Sequence, residues 1–389
     1  MDLHFPPSPL TELTLADLRR RRSMKWRQYP QDVLPLWLAE MDTPLAPPVR
    51  EALAAAIELG DTGYVHEGAL ADAYSEFALA NFAWVVEPSC SRVMPDVMTA
   101  ITAVLAQVTS PGDGVIITTP VYPPFFAYLG LAGRVVVESP LGWSVEAGYV
   151  LDLDRLATDF ARPEVAACLL SNPHNPTGLV LTRQELLAVA ELGERHGVRL
   201  LVDEIHSPLV YAGSVHTPIL STVDESAGAA RSFAFVSASK AWNLPGLKAA
   251  LVIAGPEAVE SLSAAPSELF MGTGLLGVLA SEAAFREGVP WLKRLLVGLD
   301  ANRDLLGRLL ADALPGVGYR PPASTYLTWL DCRGLGLGDD PAAVFLDRGR
   351  VAVIPGHAFG EPGRGFVRLN FATSPQVLAE AVSRMAACC

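Results

Sequence analysis

Short apolar runs alternating with helix-length amphipathic stretches constrain the fold of this 389-residue chain more than any other feature. Residues 115–118, 135–137, 166–170, 200–202, 233–236 and 250–254 each read as a buried strand. Between them lie stretches such as 182–196, which opens with Thr182 as N-cap and Glu185 three residues on, a capping box. Such alternation predicts an α/β fold, a mostly parallel sheet sandwiched by helices. Residues 291–314 read as a long amphipathic helix that Pro315-Gly316 ends. Beyond it the pattern changes to shorter strands at 325–330, 350–354 and 366–371 and a final helix. The expectation is a large domain over 46–285 and a smaller α+β domain built from 286–389 together with the N-terminal segment 1–45.

Composition narrows the function classes. The chain is half hydrophobic and 18% charged, without a low-complexity tract, so it has the means to bury a large core. Its net charge of −13 argues against a nucleic-acid partner. No apolar run is long enough to span a bilayer. The opening residues lack a basic segment followed by an apolar stretch, so no signal peptide is expected. The five cysteines are scattered, odd in number and without metal-type spacing, which fits a reduced, cytoplasmic protein.

In an open α/β sheet, ligands bind at the carboxyl ends of the strands. Lys240 follows the apolar run 233–236 and the hydroxyls of Ser237 and Ser239. Strand interiors exclude ammonium groups, so this charge emerges where the strand ends. Lys248 adds a second cation, and hydroxyls with a cation suit a phosphate. Three further strands end in groups that suit the same ligand. Residues 115–118 lead to Thr119-Pro-Val-Tyr122, an aromatic ring on a stiff turn. The run 166–170 enters Ser171-Asn172-Pro-His174-Asn175-Pro-Thr-Gly178, which presents two amides, and 200–202 ends at Asp203-Glu204-Ile-His206. A reactive amine, an acid for a pyridinium nitrogen, a stacking ring, an amide and a phosphate cup together match what pyridoxal 5'-phosphate (PLP) chemistry requires. Taken singly, Asn-Pro and Pro-Thr-Gly are ordinary turn chemistry and His206 is a packed or solvated histidine.

Two other patterns are discounted. Gly272-Thr-Gly274-Leu-Leu-Gly277 fits the dinucleotide fingerprint, but no buried strand precedes it, so it reads as a glycine-rich helix entry. His196, His206 and His216 are regularly spaced, yet no carboxylate–histidine pattern completes a metal site, and no metal is expected.

Together these residues resemble the fold-type I PLP enzymes, and within them the MalY/PatB-type cystathionine β-lyases of the class I/II aminotransferase superfamily. The resemblance covers nearly the whole chain. It rests on Leu34-Pro-Leu-Trp-Leu-Ala-Glu-Met-Asp42, Gly63-Tyr64-Val-His-Glu-Gly68, the runs 171–178, 203–206 and 237–248, and Phe366-Val-Arg368-Leu-Asn-Phe-Ala-Thr-Ser374. It implies that Lys240 is the Schiff-base lysine and general base, that Asp203 keeps the pyridine nitrogen protonated, and that Asn175 contacts the ring's 3-oxygen. Tyr122 matches the stacking aromatic and is carried as a second catalytic residue. His206 stands where aminotransferases often have a tyrosine touching that oxygen. Ser237, Lys248 and the backbone N–H groups near Val97 and Met98 would hold the phosphate, with Tyr64 reaching it from the partner subunit of a homodimer. Arg368 would fork onto the substrate carboxylate, with Ala39 and Asn175 beside the substrate. Glu40, Lys248 and Ser207-Pro208 depart from the usual pattern.

The activity so implied is a PLP-dependent C–S β-lyase that converts cystathionine or a related cysteine S-conjugate to a thiol, pyruvate and ammonia. An aminotransferase uses the same lysine, aspartate and arginine, and a regulatory partner-binding protein on this scaffold is a third possibility.

Overall fold

The computed structural model describes residues 5–66, 69–144 and 146–389. Glu67 and Gly68, the end of the Gly63–Gly68 motif, lie outside the described residues. The chain divides into a larger unit, residues 45–174 with 179–289, and a smaller one, residues up to 44 with 175–178 and 290–389. The sequence reading runs 46–285 unbroken, whereas the four residues 175–178 group with the smaller unit.

Seven strands form the main sheet of the larger unit: β1 (Ser91–Met94), β2 (Gly114–Ile117), β3 (Val135–Glu138), β4 (Val165–Ser171), β5 (Arg199–Asp203), β6 (Phe233–Val236) and β7 (Ala250–Ala254). Their spatial order is β1-β7-β6-β5-β4-β2-β3. Strands β6, β5, β4, β2 and β3 run parallel, while β7 is antiparallel to both its neighbours. The mostly parallel α/β sheet expected from the sequence is therefore present. Every residue of β2, β6 and β7 is buried, which is why these strands read as continuous apolar runs and do not alternate. One apolar cluster joins Ile101 and Val104 of helix α1 (Val97–Val108) to Ile117, Leu169, Leu201, Phe235 and Val252, one residue from each of five strands. Helix α2 (Arg183–His196) starts at the expected Thr182–Glu185 capping box and stops at Gly197, whose φ of 70° is the left-handed conformation glycine adopts without strain. Gly274 caps the helix Leu275–Glu287, and a short 3-10 turn, Ser267–Leu269, lies ahead of it where a dinucleotide site needs a strand.

The smaller unit holds a long helix, α3 (Val289–Ala313), and an antiparallel sheet of β8 (Leu327–Asp331), β9 (Ile354–Pro355) and β10 (Phe366–Asn370), with β10 in the centre. The single strand expected at 350–354 is instead two. Val351–Ala352 pairs in parallel with Leu34–Pro35, and Ile354–Pro355 pairs with β10, so the chain changes partner at Val353. Asn302 of α3 is fully buried and its amide donates to the carbonyls of Phe371 and Thr373, fixing the chain just after β10.

Candidate active site

In the larger unit the candidate residues sit where parallel strands end. Asp203 is the last residue of β5 and is 5% exposed; its carboxylate accepts the N–H of Ile205 at 3.1 Å. Burial pushes its pKa up to about 7, against the pull of that hydrogen bond and of the Lys240 ammonium. Glu204, fully buried beside it, adds to the rise; one of its oxygens accepts the N–H of Ile219 and the other lies 3.6 Å from His216 Nε2. A buried acid displaced this far favours a cationic ligand, which would restore its charge. Lys240 is half-buried on the short helix that follows β6, and its charge acts on Asp203, so the structure brings the two together.

Ser237 caps the start of that helix: its hydroxyl accepts the N–H of Ser239 and donates to the carbonyl of Ala249 at 2.7 Å. At the start of α1, the Asp96 side chain accepts the N–H of Thr99. Val97 and Met98 are the first two helical residues, whose N–H groups no preceding turn receives, as an anion site requires. The ammonium of Lys248, 56% exposed, lies 3.0 Å from Asp96. Lys248 therefore meets the cap of this helix, a partner that the sequence reading missed although an aspartate before an apolar helical run is an N-cap signal.

The loop after β4 is held by its own side chains. Asn172, fully buried, accepts the N–H of Leu181 at 3.0 Å, and His174 Nε2 donates to the Thr118 carbonyl at 3.2 Å. Desolvation pushes the His174 pKa down to about 4, so the ring is neutral at pH 7 and serves as a strut between the ends of β2 and β4. Tyr122 is half-buried and edge-on to Phe125, ring centres 5.8 Å apart. His206 is buried in the turn after Asp203, and its carbonyl accepts the N–H of Leu209. Tyr64 is 83% exposed.

A second set of candidates lies in the smaller unit. Arg368 is on the central strand β10 and only 4% exposed. Its guanidinium donates to Asn175 Oδ1 at 3.1 Å and to the Trp37 carbonyl at 2.9 Å, and it stacks 5.2 Å over the Phe359 ring. The alternation of β10 puts Phe366, Arg368 and Asn370 on one face. Ala39 is buried, with its carbonyl on the Tyr326 hydroxyl at 3.0 Å. Gly178, at φ 71°, completes the 175–178 turn; an added Cβ would stand 2.4 Å from Pro322, so only glycine fits. Trp37 and Phe359, which grip the guanidinium, were not foreseen from the sequence.

The family of class I and II aminotransferases matches residues 36–385, and the chain belongs to it. A Mycobacterium leprae protein provisionally named a cystathionine beta-lyase is 49% identical over 97% of both chains. The cystathionine beta-lyase PatB of Bacillus subtilis is 34% identical over 94% of this chain and 96% of its own. The crystal structure of cystalysin from Treponema denticola, which contains a pyridoxal 5'-phosphate cofactor, superposes with a TM-score of 0.90 at 25% identity over 98% of both chains.

Proposed function

We propose that this protein is a PLP-dependent C–S β-lyase that cleaves cystathionine or a related cysteine S-conjugate to a thiol, pyruvate and ammonia. The observation that carries the reading is Lys240 placed within electrostatic reach of Asp203, a buried carboxyl whose pKa burial raises to about 7. Such an acid suits a pyridine nitrogen that must stay protonated, and the amide groups at the start of α1 suit a phosphate, so the residues present fit PLP. When bound, PLP supplies the electron sink that stabilises a carbanion at the substrate Cα.

The chain's own residues do the rest. Asp203 would hold its negative charge at the ring nitrogen, and Tyr122 would offer an aromatic face. Asn175 and His206 would address the ring oxygen. Ser237, Lys248 and the N–H groups of Val97 and Met98 would hold the phosphate. Lys240 takes the proton from Cα as general base, and the sulfur then leaves from Cβ. Arg368, held by neutral oxygens and a ring, supplies a positive fork for the substrate carboxylate, beside Ala39. Pyruvate released from cystathionine without any added keto acid tests this reading; product only when a keto acid is present would make the protein an aminotransferase.

The active unit in this reading is a homodimer, because Tyr64 would serve the phosphate held by the partner subunit. Its 83% exposure in the single chain leaves a large phenol available for such a role. Mixing Tyr64→Ala with Lys240→Ala under subunit exchange should partly restore activity, since one hybrid site carries neither lesion. No recovery, given proven exchange and a defective Tyr64→Ala parent, would confine Tyr64 to its own subunit. A cytoplasmic location fits five free cysteines, and no helix among the described residues is long and apolar enough to cross a membrane.

A further inference from the structure

The segment from Trp37 to Thr43 is held by side chains to an unusual degree. Trp37 offers its carbonyl to Arg368 at 2.9 Å, Leu38 to Asn370 at 2.7 Å and Ala39 to the Tyr326 hydroxyl at 3.0 Å. The Glu40 carbonyl accepts both Asn370 at 2.7 Å and the Lys25 ammonium at 3.0 Å. Arg21 takes the carbonyls of Met41 and Thr43. Lys25 continues to Asp42, 2.8 Å away, with both side chains 1% exposed, and the Trp26 indole donates to the other Asp42 oxygen at 2.9 Å. Taking two charges out of water is expensive, and a pair of apolar residues of similar volume usually stabilises a fold as well. Lysine is also among the residues least often fully buried. Stability alone therefore gives little reason for an ion pair at this place.

Its effect on the backbone gives a better one. A peptide unit is planar and trans, so a carbonyl tied on one side aims the next residue's N–H to the other. With the Leu38 carbonyl on Asn370, the direction of the Ala39 N–H is set. With the Trp37 carbonyl on Arg368, one end of the guanidinium is set by the same backbone. Asn370 ties this backbone to the strand that carries Arg368, two residues away on the same face, and Lys25 shares the Glu40 carbonyl with Asn370. We propose that the buried Lys25–Asp42 ion pair is the positioning device of the carboxylate seat: through the backbone of residues 37–41 it sets the orientation of Arg368 and the direction of the Ala39 N–H toward an α-amino-acid carboxylate. This rests on Arg368 as the carboxylate fork.

The test uses the holoenzyme and the double variant Lys25→Met with Asp42→Asn, which removes both charges together and keeps an acceptor for Trp26. Propionate and propionamide serve as binding probes by ligand-observed NMR, beside steady-state kinetics on cystathionine. The expected result is a KM raised about tenfold with kcat within twofold, the weight of one charge-assisted hydrogen bond. Propionate binding should weaken by the same factor, propionamide binding should not change, and the far-ultraviolet spectrum should stay native. A folded double variant with wild-type KM and wild-type propionate affinity overturns the proposal. If the double variant does not fold, Trp26→Phe, which removes the indole donor from Asp42 and so loosens the ion pair, decides by the same readouts, and an unchanged KM again overturns it. Failure of the underlying reading looks different: wild-type enzyme would bind propionate and propionamide alike, and Arg368→Lys would not separate them.

Discussion

The two units use opposite means to make their functional groups. In the larger unit each group stands at the end of its own strand or helix, and its chemistry comes from burial acting on a titratable side chain: Asp203 is raised to about 7 and His174 lowered to about 4. In the smaller unit the seat around Arg368 is drawn from residues near 25, 37, 326, 359 and 370, and its chemistry comes from fixed carbonyl dipoles, an aromatic face and a paired buried charge. The first arrangement is encoded locally and tuned by protons. The second is encoded over long range and tuned by geometry. Substitutions in the larger unit should accordingly strike kcat or the pH profile, and those in the smaller unit KM.

The largest effect is expected at Lys240. In the proposed reading, Lys240→Ala removes both the amine that would join the cofactor and the base that would move the Cα proton. Pyruvate release should fall by at least about 10⁴-fold, the upper range of a general base. PLP should still be retained through the phosphate contacts, as absorbance after dialysis would show. Near-normal turnover would break the assignment of the larger unit's site.

Asp203→Asn comes next. In the proposed reading this removes the charge that would face a ring nitrogen, comparable to breaking a buried pair at about 3 kcal/mol or more, so kcat should drop two to three orders of magnitude. The same residue makes a pH prediction for protein freed of cofactor. Its folded pKa lies above the unfolded value, so the folded state holds more protons between about 4 and about 7. Its contribution to stability is therefore present below pH 4 and lost as pH rises through 7. Melting temperatures of the apoprotein should fall more from pH 5 to pH 8 in wild type than in Asp203→Asn. Parallel pH profiles would show that burial does not set this group.

Arg368→Lys probes the other unit. A lysine keeps the charge and loses the fork, which is worth about 1.5–3 kcal/mol, so kcat/KM should fall roughly 10- to 100-fold, chiefly through KM. The loss should appear for the amino-acid substrate and not for its carboxamide. Equal losses for both, or a fall confined to kcat, would erase the distinction between the two units.

This contrast also explains what the sequence revealed. Six of the seven strands of the main sheet were legible to within a residue or two; β2, β6 and β7 are buried throughout, and an uninterrupted apolar run leaves little freedom in placing them, whereas the half-exposed β1 has no such run and was missed. The placement of Asp203 and Lys240 at strand ends was legible because each follows such a run. The helix start at Thr182 was legible through its capping box. The seat was only half visible. Arg368 has a strand pattern around it, but nothing local shows that Trp37 offers it a carbonyl or that Phe359 lies beneath it. Lys25 runs against the expectation that lysines stay at the surface. The strand at 350–354 failed for a related reason, since changing partner at Val353 leaves no mark on hydropathy.

Lys248 gives the smallest and most discriminating effect, because it is a long-range contact inside the locally encoded unit. Its ammonium lies 3.0 Å from Asp96, 152 residues away in sequence, and more than half of the side chain is exposed. An exposed pair of this kind contributes roughly 0–1 kcal/mol to stability, so Lys248→Ala should melt within a few degrees of wild type. If Lys248 served only this bridge, nothing else would change. If it also neutralises Asp96 so that a phosphate can approach the start of α1, its loss leaves an anion facing an anion. PLP should then dissociate about tenfold more readily, the weight of one charge-assisted contact, with kcat at saturating cofactor unchanged. Raising salt should shrink the difference between variant and wild type, because the contact is exposed to solvent. Unaltered PLP affinity would make Lys248 a surface bridge, and would leave the phosphate to Ser237 and the helix N–H groups.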